Sequence, residues 1–203
     1  MSVLHTKDEA GFTMAEFIIV VGLVAFILTA AYTAFTAVQT TDSSLETRST
    51  LSDSVNGTLN IMTREMRQAQ ETTVGYGAFA VAQPQTMSFY SSIDMDVAPE
   101  LVTYYISNGS LYKRVDQPQN PLAPYAPFTM GTPIVVIPNV NPGYAGPTFT
   151  YYTDASPPVS TTTTSAISAV DIVLTGQKSS MTGPVNIRAE SWVQVRSLSN
   201  PLN

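Results

Sequence analysis

The hydrophobic pattern divides the chain into three parts. From Phe17 to Thr41 the sequence runs Phe-Ile-Ile-Val-Val-Gly-Leu-Val-Ala-Phe-Ile-Leu and onward without one charged side chain, 25 residues in all. About 20 apolar residues in a helix suffice to cross a bilayer, so this stretch is long enough to span one. Beyond Thr41 the composition turns polar, yet Leu45, Leu51, Val55, Leu59, Met62, Met66 and Ala69 recur. From Leu51 on, their spacings of 4, 4, 3, 4 and 3 trace one face of an α-helix. Asp42, Glu46, Arg48, Asp53, Arg64, Glu65, Arg67 and Glu71 are expected off that face. No proline occurs between Met1 and Gln83. One helix is therefore predicted from about Phe12 to Glu71, roughly 90 Å long at about 1.5 Å per residue.

The remainder reads as strands. Thr86–Ser91 and Leu101–Ser107 are candidates, and Asn108-Gly109 supplies the two positive-φ positions of a type I′ turn into Ser110–Val115. The segment Gln117–Pro147 is proline-rich and uncharged, with one β-branched run, Ile134–Ile137, flanked by Pro133 and Pro138 as in a short or edge strand. Thr148–Thr153 is a further strand candidate, Ser156–Thr164 a loop, and Val170–Leu174 a core strand. In Asn186–Val195 the side chains alternate: Ile187, Ala189, Ser191, Val193 and Val195 on one face, Arg188, Glu190, Trp192, Gln194 and Arg196 on the other. The fold class expected is α+β, a long N-terminal helix whose amphipathic half packs under an antiparallel sheet.

Composition narrows the chemistry. Only 12% of the 203 residues are Asp, Glu, Lys or Arg, about half the usual fraction. Hydroxyls replace them, with 46 serines and threonines. Nine basic residues and a net charge of −6 argue against direct nucleic-acid binding, which needs a basic face. The chain has no cysteine, which removes disulfides and thiolate chemistry, and its only histidine is His5, which leaves no histidine triad and few zinc ligand sets. The expectation is a non-enzymatic protein with no cofactor and no metal.

Glu16 stands at the edge of the apolar run, four residues after Phe12. Three readings of the run are open. A cleaved secretory signal has a shorter apolar core with a small-residue cleavage site after it. A plain signal anchor fits the length but prefers basic residues before it, whereas the flank holds Lys7 against Asp8 and Glu9. The third rests on the string Gly11-Phe12-Thr13-Met14-Ala15-Glu16-Phe17 and the apolar run behind it. A carboxylate at the membrane edge snorkels or has a named partner.

That string resembles the N-terminal signal of type IV pilins and pseudopilins. The resemblance implies that a prepilin peptidase cuts between Gly11 and Phe12, that the new Phe12 amine is N-methylated, and that Glu16 becomes mature residue five. It further implies that the Phe12 ammonium of one subunit pairs with the Glu16 carboxylate of a neighbour during assembly. Two departures stand out: the leader is acidic near the cut, and Met14-Ala15 replaces the commoner Leu-Ile or Leu-Val. Arg64–Ala69 and the hairpin Tyr104–Val115 are similar to the large minor pilins and J-type pseudopilins. The expected organisation is a leader over 1–11, a transmembrane and filament-core helix over 12–41, an amphipathic half over 42–72, and a β-rich head over 73–203. Partners implied are other pilin or pseudopilin subunits, the prepilin peptidase, an inner-membrane assembly platform, and the lipid bilayer before assembly. The head would lie outside the cytoplasm and then on a surface pilus or periplasmic pseudopilus. The alternative is a signal-anchored binding or adhesin module that does not polymerise.

Other candidates weigh less. Trp192 on a polar face is expected to be covered by the proline-rich segment, with a subunit contact as the other option. Asp94 and Asp96 lack the ligand pattern of a calcium loop. Asp171 and Glu190 are unpaired in sequence, and Arg64–Ala69 reads as a solvated face. Gly22 suits either close helix packing or a tolerated small residue.

Overall fold

The computed structural model describes residues 13–71, 77–93, 99–120, 127–140 and 148–195. A single helix, α1, spans Met14–Arg67, 54 residues without a break, or about 81 Å. Its start is a capping box between Thr13 and Glu16, which satisfies backbone donors the first turn leaves orphaned. The threonines inside the apolar stretch bond back to the helix itself. Thr29 Oγ1 donates to the Ala25 carbonyl at 2.8 Å, Thr33 to Ala30 at 2.9 Å, and Thr40 and Thr41 both to Ala37 at 2.9 Å. Hydroxyls bonded this way are compatible with an apolar surrounding, where an unmet donor costs several kcal/mol.

No residue of α1 before Leu51 is buried. From there Leu51, Val55, Leu59, Met62 and Met66 form the buried stripe that the spacing predicts. Leu45 departs from it and is 60% exposed, because the head has narrowed to a single hairpin at that level. Glu65 departs in the other direction. It was expected off the buried face and is 3% exposed. The helix ends four residues short of Glu71, where the chain turns into the sheet: Gln70 N–H donates to the Tyr90 carbonyl at 3.0 Å and Ala69 bridges Ser91.

The head carries two antiparallel sheets where the pattern predicts one. The first holds β1 (Phe79–Gln83), β2 (Thr86–Ser91), β3 (Glu100–Ser107) and β4 (Ser110–Pro118) in that order, with β5 (Phe128–Thr129) and β6 (Ile134–Ile137) both pairing with β4. The second holds β7 (Phe149–Tyr152), β8 (Ala169–Ser180) and β9 (Gly183–Gln194) in that order. The β3–β4 turn is the predicted one, with Asn108 at φ 48° and Gly109 at φ 69°. Strands β8 and β9 are each 12 residues long, more than twice the predicted Val170–Leu174 in the case of β8. They form a hairpin that runs down the helix. Gly176 lies where β8 crosses α1, and a Cβ there would sit 2.8 Å from Val55 Cγ2 and 2.9 Å from Leu51 Cδ1.

An aromatic chain ties the two sheets together. The Phe79 ring on β1 lies 6.1 Å from Phe89 on β2 and 6.0 Å from Tyr151 on β7, edge-on. Tyr151 donates its hydroxyl to the Gln83 carbonyl at 2.9 Å. The core therefore has the buried half of α1 on one side and the inner faces of both sheets on the other, with Met87, Val102, Leu111, Ile137, Val170, Ile172, Leu174 and Val193 at its centre.

Candidate functional site

The residues that sequence reasoning singled out lie at the start of α1. Gly11 and Phe12 fall outside the described residues. Glu16 is exposed, and its carboxylate turns back on Thr13: the Thr13 N–H donates to Oε2 at 2.9 Å and the Thr13 hydroxyl donates to the same oxygen at 3.0 Å. In return Glu16 N–H donates to Thr13 Oγ1 at 3.3 Å. Both bonds to the carboxylate fall on one oxygen, which leaves Oε1 able to accept from a further donor. The acid also sits in the first turn, where the positive end of the helix dipole favours it.

Behind Glu16 the helix presents an unbroken apolar surface. Phe17, Ile18, Ile19, Leu23, Phe26, Ile27, Leu28, Tyr32, Phe35 and Val38 are each more than half exposed. This is the one described helix long and apolar enough to cross a membrane, and its most apolar window is 0% buried. A soluble core helix of that composition would be covered. Gly22 has nothing within 4 Å of where a Cβ would stand, so among the described residues it packs against nothing.

The second site is the junction of stem and head, and it escaped the sequence reading. Glu65 is buried on the last turn of α1 and forms an ion pair with Lys113 of β4. Its other oxygen accepts the Tyr104 hydroxyl at 2.7 Å. The Lys113 ammonium also lies 5.8 Å from the centre of the Tyr104 ring, within cation–π range. Burial and the adjacent Glu65 carboxylate push the Tyr104 pKa far up, so the hydroxyl remains a donor. The buried Ser91 hydroxyl at the end of β2 donates to the carbonyl of the same Glu65 at 3.0 Å. The signal was present in the spacing: Thr58, Met62, Glu65 and Ala69 follow at 4, 3 and 4, a second row of the buried face. A smaller clasp sits on the other side of β4. Asp116 holds Arg114 at 2.9 Å and accepts the Gly131 N–H at 2.9 Å, fixing the segment between β5 and β6.

Trp192 is 49% exposed, which corrects the expectation that the proline-rich segment covers it. Within that segment β5 and β6 are taken up by β4 of the other sheet, and Asn139 and Val140 pair with β8 at Gln177 and Gly176, away from Trp192. Trp192 instead leans on Tyr152 of β7, centroids 4.6 Å apart. Asp171 lies directly across from Trp192 on the same outer face. Desolvation, helped by the nearby Glu190 carboxylate, raises its pKa. The two carboxylates expected to be unpaired are thus neighbours, on an open sheet face with Arg188 bonded to Glu190. Asp94 and Asp96 lie outside the described residues. Among the described residues no group of three His, Cys, Asp or Glu side chains could hold a metal ion.

No protein-family model and no curated protein matches the chain. Among solved structures, one similar chain belongs to the crystal structure of the GspK-GspI-GspJ complex from the enterotoxigenic Escherichia coli type 2 secretion system. It is 13% identical, with a TM-score of 0.41, and the match covers 71% of this chain and 97% of that one. A score of that size does not establish a common fold.

Proposed function

We propose that this chain is a structural subunit of a type IV pilus or related pseudopilus, of the minor class. It is made as a precursor, cut between Gly11 and Phe12, methylated on Phe12, and assembled through the helix that starts there. The observation that carries the reading is the division of α1. Its apolar half is a finished helix with capped start and self-bonded hydroxyls, yet nothing among the described residues covers it. Such a surface needs lipid first and other copies of the same kind of helix afterwards. The second half is buried under a head that leaves the first half clear.

In this reading the subunit waits in the inner membrane with its head outside the cytoplasm. The Oε1 oxygen of Glu16 receives the Phe12 ammonium of a neighbour as the helices pack, a pairing that low dielectric favours once both charges are desolvated together. The prepilin peptidase and an inner-membrane assembly platform are the other partners the reading requires. N-terminal mass spectrometry of membrane-extracted protein tests it. A chain beginning at methylated Phe12 is the expected result, and Glu16→Ala is expected to be processed normally but not to enter filaments. An intact Met1 start in cells with active prepilin peptidase would instead indicate a signal-anchored module that does not polymerise.

A further inference from the structure

The head does not end where the core ends. Strands β8 and β9 continue down the stem as a two-stranded ribbon, and their turn reaches α1 at Ser44, with Ser44 Oγ and Thr182 Oγ1 2.7 Å apart. Ser180 Oγ lies 3.1 Å from the same Thr182 hydroxyl and donates to the Gly183 carbonyl at 2.7 Å, so the turn is internally bonded. Its other residue, Met181, is 76% exposed. The face of α1 that leads from the core stripe toward this turn is half-buried at Thr47, Ser44, Ser43 and Thr40.

The level of the turn can be read along the helix. From Phe17 to Val38 the exposed apolar band covers about 32 Å at about 1.5 Å per residue, against a bilayer hydrocarbon core of about 30 Å. Ser44 is six residues past Val38, about 9 Å further along. The headgroup layer on each side is about 5–8 Å thick, and a helix tilt of about 20° brings the turn slightly closer. The turn therefore stands at the outer edge of the headgroup layer when the apolar band fills the core. Methionine is unbranched and flexible, with a side chain suited to reaching into an irregular apolar boundary. Asp42 and Glu46 flank Ser44 on the stem, and Lys178 lies further up beside Thr50, Leu51 and Ser54, so local charge gives no attraction to an anionic surface.

We propose that the β8–β9 turn is a second membrane contact, with Met181 resting in the headgroup region of a bilayer through apolar rather than ionic contact. The proposal rests on the stem spanning that bilayer. It makes the subunit a two-point membrane protein before assembly, with the hairpin acting as a depth stop.

Trp192 is the chain's only tryptophan and lies nine residues up β9 from Gly183, about 30 Å away. The test reconstitutes the full chain in phosphatidylcholine vesicles and compares wild type, Met181→Trp with Trp192→Phe, and Phe26→Trp with Trp192→Phe. A nitroxide on the lipid headgroup is expected to quench the Met181→Trp protein about twofold, with blue-shifted emission, as for a tryptophan at the interface. Native Trp192 is expected to be unaffected. A nitroxide at the acyl-chain end is expected to quench the Phe26→Trp protein. Quenching at position 26 with water-like, unquenched emission at position 181 overturns the turn contact and leaves the span standing. Absence of quenching at position 26 overturns both. Because the chain has no cysteine, Met181→Cys carrying a polarity-sensitive fluorophore reads the same position independently, and a water-like signal there overturns the contact as well.

Discussion

The two halves of α1 have the same backbone and opposite surroundings. Before Leu51 the helix is held mainly by local devices, a capping box and hydroxyls that bond back to the preceding turn, with one tertiary contact at Ser44. After Leu51 it is held by tertiary contacts, with a stripe under two sheets and a buried ion pair at its end. An isolated helix in water is marginal unless tertiary packing supports it. The first half therefore depends on lipid or neighbouring helices for its permanence, and the second half does not. One continuous element joins a part that is complete within the chain to a part that is complete only in company.

On the side of the head, the comparison can be broken most severely at Glu65. Glu65→Ala leaves the half-buried Lys113 ammonium and the Tyr104 hydroxyl without their partner, and a loss of up to about 3 kcal/mol in head stability is expected by urea denaturation. Replacing Glu65 and Lys113 together by methionine should cost much less, since no charge is then stranded. Of similar size, Leu28→Asp puts a carboxylate at the centre of the apolar half. A penalty of about 2.5–3.5 kcal/mol in membrane insertion is expected, with the urea midpoint of the head unmoved. A shift in that midpoint would show that the two halves are coupled. Gly176→Val places methyl groups against Val55 and Leu51 and should destabilise the head by about 1–3 kcal/mol, whereas Gly22→Ala should leave it unchanged. The smallest effect belongs to Asp171→Asn. Because the folded state raises the Asp171 pKa, its carboxyl group favours folding when protonated and loses that contribution as pH rises through the folded pKa. The variant should gain slightly over wild type near pH 7, and the gain should vanish below about pH 4, the unfolded Asp pKa. Melting curves across that range decide it.

What could be read in advance follows from where local chemistry agrees with tertiary need. The proline-free run and its 3-and-4 spacing marked α1, Asn108-Gly109 marked the β3–β4 hairpin, and the alternation from Ile187 to Val195 marked β9 and its inner face. Strand β1, Phe-Ala-Val-Ala-Gln, was missed because small residues carry little strand signal and its place is set by pairing with β2. The full length of β8 was hidden by its polar end, Thr-Gly-Gln-Lys-Ser-Ser, which pairs with β9 instead of filling the core. Glu65 carries a charge, which argues for exposure, yet its spacing puts it on the buried rows. Its partner Lys113 comes from 48 residues away, a contact that no local pattern encodes. The number of sheets was likewise a long-range property, set by the Phe79–Tyr151 edge contact and not by any strand alone.

The absence of a break in α1 has a mechanical consequence. A helix without proline or a melted turn has no slack, so a pull on the head cannot be absorbed by straightening a loose segment. Axial load passes from peptide to peptide as tension along the rod. It reaches the head where α1 is clamped, through Gly176 beside Val55 and through the Glu65–Lys113–Tyr104 cluster at the far end. In the filament proposed above, extension would therefore have to be taken up between rods and not within them.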